Sequence, residues 1–180
     1  MTSFTAGTYT WKDSAYREFM MEVLRNLEPR FAKQGSTLVE ELDCNDEIIF
    51  CYKGEIFFGY ELNKQRHFCI KYQNGCVIGA YGCTYNQRSN HIVYANSNSD
   101  CQFIRKTNWK KILDIDEQIA KNFKRKILSD HLNKVHFKIE LDKKRKIIKV
   151  LQREDYQGLQ VLQPKQDSNM MKFIKDMEDQ

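Results

Sequence analysis

The sequence predicts a mainly β fold of the α+β class: an antiparallel β-roll or jelly roll with one helix before it and several after it. Three patterns lead there. Between Thr37 and Lys106, short runs of β-branched and aromatic residues recur at intervals of about ten residues, separated by turn chemistry. A helical stripe precedes them, and longer helical stripes follow to the C-terminal side.

The first element is predicted over Ser14 to Asn26. Tyr16, Phe19, Met20, Val23, Leu24 and Leu27 recur at three- and four-residue steps, with Asp13 or Ser14 as N-cap and Pro29 as terminator. The strand-like runs are Glu47–Tyr52, Glu55–Leu62, His67–Tyr72, Cys76–Ile78, His91–Ala95 and Cys101–Arg105. Asn45-Asp46, Lys53-Gly54, Asn63-Lys64, Asn74-Gly75 and Asn96 to Asp100 punctuate them. Isolated hairpins cannot bury both faces, so strands this numerous must close into a roll or sandwich. Thr107-Asn108 then serves as an N-cap pair for a helix with Trp109, Ile112 and Leu113 on one side. A longer stripe follows through Ile119, Phe123, Ile127, Leu128, Leu132 and Val135. Asp142 caps a further helix through Ile147, Ile148, Val150 and Leu151, ending near Gly158. The expected division is a lead-in over 1–36, a roll over 37–106, lid and tail helices of the same domain over 107–158, and a linker with a terminal amphipathic helix over 159–180.

Composition narrows the function classes. The 180 residues suit one compact domain with an elaborated tail, and 11 Phe, 9 Tyr and 2 Trp supply bulky surface for a core. The formal charge of +5 is spread among 24 acidic residues, with local basic runs at Lys121 to Lys126 and Lys143 to Lys149. Such runs read as solvated helix faces, and nucleic acid is not an expected partner. No apolar run approaches the ~20 residues needed to cross a bilayer, so the expected location is the cytosol or the cytoplasmic side of a membrane. The six cysteines show no Cys-x-x-Cys pair and sit mostly in apolar runs, as small buried hydrophobes rather than a disulfide frame or a zinc site. His67 and His91 lack the closely spaced partners of a metal-binding barrel, and no His stands beside Cys76 or Cys83 in sequence. No catalytic residue and no metal ligand is expected, and the chain is read as no enzyme.

Two stretches carry a resemblance to a known family. Asp46-Glu47-Ile48-Ile49-Phe50 followed by Tyr52-Lys53-Gly54-Glu55-Ile56 is similar to the early strand-turn-strand signature of cyclic-nucleotide-binding domains. Val77-Ile78-Gly79-Ala80-Tyr81 and Arg88-Ser89 fall where that family places its phosphate-binding cassette. There a Gly-Glu pair opens the cassette and an Arg with a small residue closes it. Backbone N–H groups and Arg hold the cyclic phosphate, while Glu accepts from the ribose hydroxyl. The resemblance implies Gly79, Ala80, Tyr81, Arg88 and Ser89 as ligand-binding residues and cAMP or cGMP as candidate ligands, with no cofactor certain. Ala80 departs from the pattern: a methyl group cannot accept the ribose hydroxyl, and leaving it unpaired costs about 1–3 kcal/mol. The spacing from Gly79 to Arg88 is also one residue off.

The wider resemblance runs from about Trp11 to Gly158 and is closest to the cytosolic C-terminal tail of voltage-gated and cyclic-nucleotide-gated-type potassium channels, notably those of ciliated protists. Tyr16-Arg17-Glu18-Phe19-Met20, Asn26-Leu27-Glu28-Pro29-Arg30, Ile78-Gly79-Ala80-Tyr81 and Phe103-Ile104-Arg105-Lys106-Thr107-Asn108-Trp109 carry it. It implies a regulatory module acting by conformational coupling or protein contact, with a channel subunit or another protein as partner. Contact with a membrane would be indirect, through the channel, and the setting could be ciliary. In related tails a segment of the chain sometimes fills the pocket. The alternative is a structural adaptor in a ciliary or cytoskeletal assembly, using a ligand-free roll. Tyr81 and Tyr85 can stack on a purine or fill the pocket themselves. Met170, Phe173, Ile174 and Met177, with Met171, form a Met-rich amphipathic face suited to a partner groove, or a strip packing back on the roll.

Overall fold

The computed structural model of the chain describes residues 9–153. Met1–Arg145 forms one compact unit and Lys146–Gln180 a second, of which the helical residues as far as Arg153 are described. The chain begins with α1 (Ser14–Arg25), whose N-cap is Asp13: its carboxylate accepts from the backbone N–H groups of Ala15 and Tyr16. Eight strands follow: β1 (Glu28–Ala32), β2 (Thr37–Val39), β3 (Glu47–Lys53), β4 (Glu55–Leu62), β5 (Gln65–Gln73), β6 (Cys76–Ile78), β7 (Ile92–Ala95) and β8 (Ser99–Arg105). Between β6 and β7 lies the short helix α2 (Ala80–Tyr85). After β8 come α3 (Lys106–Leu113), α4 (Glu117–Asp130), a π-helical stretch over His131–His136, and α5 (Phe137–Arg153).

All strand pairs are antiparallel and build two four-stranded sheets, in the orders β1-β8-β3-β6 and β2-β7-β4-β5. This is the expected roll. Its turns follow from backbone preference: Asn63 and Lys64 both adopt positive φ, the two-residue turn that matches strand twist, between β4 and β5. Gly54 turns β3 into β4 at φ 114°, where a Cβ would sit 2.1 Å from Ser99 Oγ. Only glycine can take that place.

The first sheet works on both faces because alternate residues of β3 and β8 point opposite ways. Ile48 and Ile104 join a helical core with Tyr16, Phe19, Val23, Trp109 and Phe123. Ile49, Cys51 and Cys101 join the roll interior with Ile56, Phe58, Tyr60 and Ile78. In the helical core Phe19 stacks on Phe123 at 4.9 Å, and Trp109 meets both rings edge-on.

Four elements differ from the sequence expectation. The strand-rich section starts at Glu28 rather than Thr37, because β1 pairs with β8 along its whole length. Pro29 therefore terminates no helix; α1 ends at Arg25, and Pro29 sits in an edge strand, where its missing N–H is tolerated. Thr107-Asn108 is not a cap pair: α3 starts directly from β8, its cap position Arg105 makes no side-chain cap bond, and the Lys106 N–H donates to Asp46 O at 2.8 Å. Asp142 caps nothing. The helix passes through it, and its carboxylate accepts from the Tyr60 hydroxyl at 2.7 Å. The expected helix end near Gly158, the linker, and Met170, Phe173, Ile174 and Met177 lie outside the described residues.

Candidate ligand pocket and its lid

Gly79 follows β6. It is the N-cap of α2 at φ 78°, and a Cβ there would lie 2.4 Å from the Glu47 carbonyl oxygen, so β6 can turn sharply into α2 beside β3. Gly82, one turn into α2, lies against the Asn45 side chain, 2.1 Å from where a Cβ would project. The Cys83 thiol donates to Asn45 O at 3.3 Å, which fixes α2 on the β3 approach. Asn86 ends the helix at φ 56°.

The chain returns through Arg88 and Ser89. Arg88 is exposed, its backbone bridges Cys44, and its guanidinium reaches toward the Leu42 carbonyl at 3.5 Å. Ser89 is buried and donates to the His91 carbonyl at 2.7 Å, while its own N–H donates to Asp43 O. Ala80 and Tyr81 form the first turn of α2. Gly79, Ala80, Tyr81, Arg88 and Ser89 thus all line one cavity of about 100 Å³.

The opposite wall is helical. Ile127, Asp130, His131, Lys134 and Val135 come from the end of α4 and the π-helical stretch. His131 stacks flat on Tyr81, with ring centroids 4.0 Å apart and planes 1° from parallel. His91, at the entry to β7, stacks on Phe58 at 5.4 Å and lies 6.0 Å from His131. Asn90 holds both flanks: its side chain meets His136 Nδ1 at 3.0 Å and His91 Nδ1 at 2.8 Å. The Tyr85 hydroxyl donates to the Lys124 carbonyl at 2.9 Å, and Trp109 Nε1 donates to Thr84 Oγ1 at 3.0 Å, so α2 is tied to α4 and α3. Beyond the cavity, Ile139 is buried in the roll interior and Lys143 lies over the Tyr60 ring at 5.2 Å.

The pocket wall is electrically quiet, with charge at its rim. Burial, with His131, Lys143 and His136 nearby, pushes His91 down to about 3, and burial with His136 pushes His131 down to about 4. Both rings are therefore neutral at pH 7. Burial raises the Asp130 carboxyl, but the Lys126 and Lys134 ammoniums at 2.8 and 2.7 Å outweigh it and hold it below its ordinary value. Among the described residues no group of three His, Cys, Asp or Glu side chains is placed to hold a metal ion.

Sequence reasoning did not single out Asn45, Asn90, His131 or His136. Gly82 held one signal, since a glycine within a short helix often marks a close neighbour, here Asn45. The meeting of three of the four histidines had none, because 40 residues of sequence separate His91 from His131.

No protein-family model matches the chain, and no curated protein is similar to it in sequence. Solved structures are similar to it in shape. A protein from Geobacter metallireducens GS-15 named for cyclic-nucleotide binding superposes with a TM-score of 0.58 at 12% identity, over 72% of this chain and 89% of that one. The roll has the cyclic-nucleotide-binding-domain fold. The C-linker and cyclic-nucleotide-binding-homology domain of zELK channels, crystallized in the presence of cAMP, gives 0.55 at 19% identity over 69% of this chain and 66% of that one. The cAMP-bound PfPKA-R chain gives 0.50 at 13% identity over 53% of this chain, which spans 34% of its length. In this chain β6, α2 and the Arg88-Ser89 return form one wall of the cavity, and the end of α4 with the π-helical stretch forms the other. Among the described residues no helix is long and apolar enough to cross a membrane.

Proposed function

We propose that the chain is a regulatory cyclic-nucleotide-binding-homology module whose pocket is filled by its own lid, and that it works by coupling lid position to a protein partner. The Tyr81–His131 stack carries this reading: it puts two aromatic rings face to face across the cavity, against the first turn of α2. The space left, about 100 Å³, is well below the roughly 300–1,000 Å³ of pockets that enclose drug-sized ligands. Ala80 offers no acceptor for a ribose hydroxyl, and the Arg88 guanidinium reaches toward the Leu42 carbonyl at 3.5 Å. We read the module as a regulator rather than an enzyme: Ser89 and Arg88 bond backbone carbonyls, and Asn90 bonds His91 and His136, so these polar side chains serve the pocket's structure.

Isothermal titration of the full chain with cAMP and with cGMP is expected to give no heat at millimolar nucleotide. The double variant Ala80→Glu, His131→Ala restores the acceptor and removes the plug, and should bind at least about tenfold more tightly than the unaltered chain. Micromolar binding by the unaltered chain would overturn the proposal.

The channel-tail version rests on the four sequence stretches that resemble such tails, and the likeness to the zELK domain is consistent with it. The adaptor reading is favoured by a different observation: Phe137 and Leu141, four residues apart on α5, are 58% and 37% exposed, an apolar strip outside the roll. Sizing the native complex separates the two. A pore-forming chain in the complex supports the channel version, and a cytoskeletal or ciliary assembly without one supports the adaptor.

A further inference from the structure

Three cysteines meet inside the roll. The antiparallel register places Cys51 of β3 directly opposite Cys76 of β6 on one side and Cys101 of β8 on the other. Side chains of directly opposed residues share a face, and all three are buried, 2%, 5% and 1% exposed in that order. Facing Cα atoms in an antiparallel pair lie about 4.5–5.5 Å apart, within the ~4.4–6.8 Å that a disulfide spans. Hydrogen bonds from the Cys101 and Cys76 thiols to the Cys51 sulfur hold Cys51 well below the ordinary thiol range, and the same contacts raise its two neighbours. Cys76 lines the cavity, so a small molecule entering there meets one member of the trio and lies next to its cross-strand neighbour Cys51. Cys83 provides the contrast: it is as deeply buried, but it lies in α2 rather than opposite another cysteine in a sheet, and burial pushes its thiol up to about 12.

We propose that Cys51 and Cys76 form a peroxide-responsive thiol pair, reached through the pocket, whose product is a cross-strand disulfide between β3 and β6. The Cys51 sulfur attacks the outer oxygen of a hydroperoxide. The O–O bond breaks, an alcohol or water leaves with the thiol proton, and Cys51 becomes a sulfenic acid. The Cys76 sulfur then attacks the Cys51 sulfur; the S–O bond breaks, water leaves, and the S–S bond forms. Two thiols lose two electrons and two protons, and one hydroperoxide is reduced. The link would lie two residues before Ile78 and three before Gly79, and so would brace the strand that feeds the cassette. The proposal is independent of nucleotide binding.

The test is hydrogen peroxide titrated into the folded, full-length chain at neutral pH, followed by thiol blocking and peptide mapping. A peptide pair joining Cys51 to Cys76, lighter by two hydrogen atoms, is expected on the order of tenfold faster than any oxidation of Cys83. In Cys76→Ala the Cys51 sulfenic acid should persist and be trapped by dimedone, while Cys51→Ala should leave Cys76 and Cys101 as thiols. Circular dichroism of each variant establishes that it is folded before treatment. Three results overturn the proposal: recovery of Cys51 and Cys76 as thiols after exposed Cys44 has oxidised, a link to Cys101 alone, or a link that appears only in step with Cys83 oxidation.

Discussion

Gly79 holds a conformation that costs any other residue about 1–2 kcal/mol, and its missing Cβ leaves room for the Glu47 carbonyl. Gly79→Ala is therefore expected to lower stability by about 2–4 kcal/mol. Urea denaturation at pH 7 checks this, and an unshifted midpoint would mean that Gly79's positive φ and its close contact with Glu47 carry no stability. Phe123 stacks on Phe19 and meets Trp109 edge-on, so Phe123→Ala should cost about 3–5 kcal/mol by the same measurement. Both residues stand out in the sequence, Gly79 through the cassette resemblance and Phe123 through its helical stripe. The Asn90 clasp does not. A polar residue two positions after an Arg in a loop has many uses, and only the distant His136 gives this one its role. The cysteine trio was equally hidden, because strand register, not sequence spacing, decides which side chains face each other.

At the level of elements, the proposed lid, α4 with the π-helical stretch, carries a pH dependence with a definite sign. A histidine released from the lid titrates near ~6.5, whereas packed His131 and His91 are held at about 4 and about 3. Above pH 6.5 both open and closed forms are neutral and the lid has its full stability. As pH falls below that value the open form takes up protons first. Closure then weakens by up to about 1.4 kcal/mol per pH unit for each histidine, until the packed rings themselves protonate. The groups facing the rings are His136, Lys143 and Tyr81, with the Asp130–Lys126–Lys134 cluster at the rim. Lys143 and His136 add repulsion to any proton placed there. Hydrogen exchange over residues 127–143 at pH 7 and pH 5 should show faster opening at the lower pH. His131→Phe keeps a ring on Tyr81 and should reduce that difference. The lid's apolar stripe was legible at Ile119, Phe123 and Ile127, since 3.6-residue periodicity is a local property. Its π-helical stretch was not, because packing against Tyr81 and the roll favours it rather than any propensity of His131–His136.

Across the whole molecule, the sheet β1-β8-β3-β6 separates two cores and supplies side chains to both. The helices therefore have no apolar base without the roll, and the roll loses one covered face without the helices. One cooperative transition follows. Trp109 reports on the helical core, so its fluorescence and far-ultraviolet dichroism should give coincident urea curves, in the unaltered chain and in Ile104→Ala alike. Separate midpoints would mean the two cores stand independently. This architecture was legible as a sequence of helix, strands, helices, because each element announces itself locally. The extra strand β1 was missed where Pro29 and flanking charges masked it. Its pairing with β8, from Glu28 opposite Phe103 to Ala32 opposite Ser99, supplies what local preference withholds.

The lid's wide turns also settle its azimuth. Ile127, His131, Val135 and Ile139 all reach inward although each is four residues from the last, and on a regular α-helix a four-residue step overshoots by about 40°. Over three such steps the error would carry Ile139 round the cylinder and away from the strands; looser winding between His131 and His136 absorbs it. The same residues wound throughout as a regular α-helix would swing Ile139 by about 120°, three overshoots of about 40°. Such a chain keeps every side chain of the pocket yet points the wrong ones at it, so winding there is as much a specification as identity.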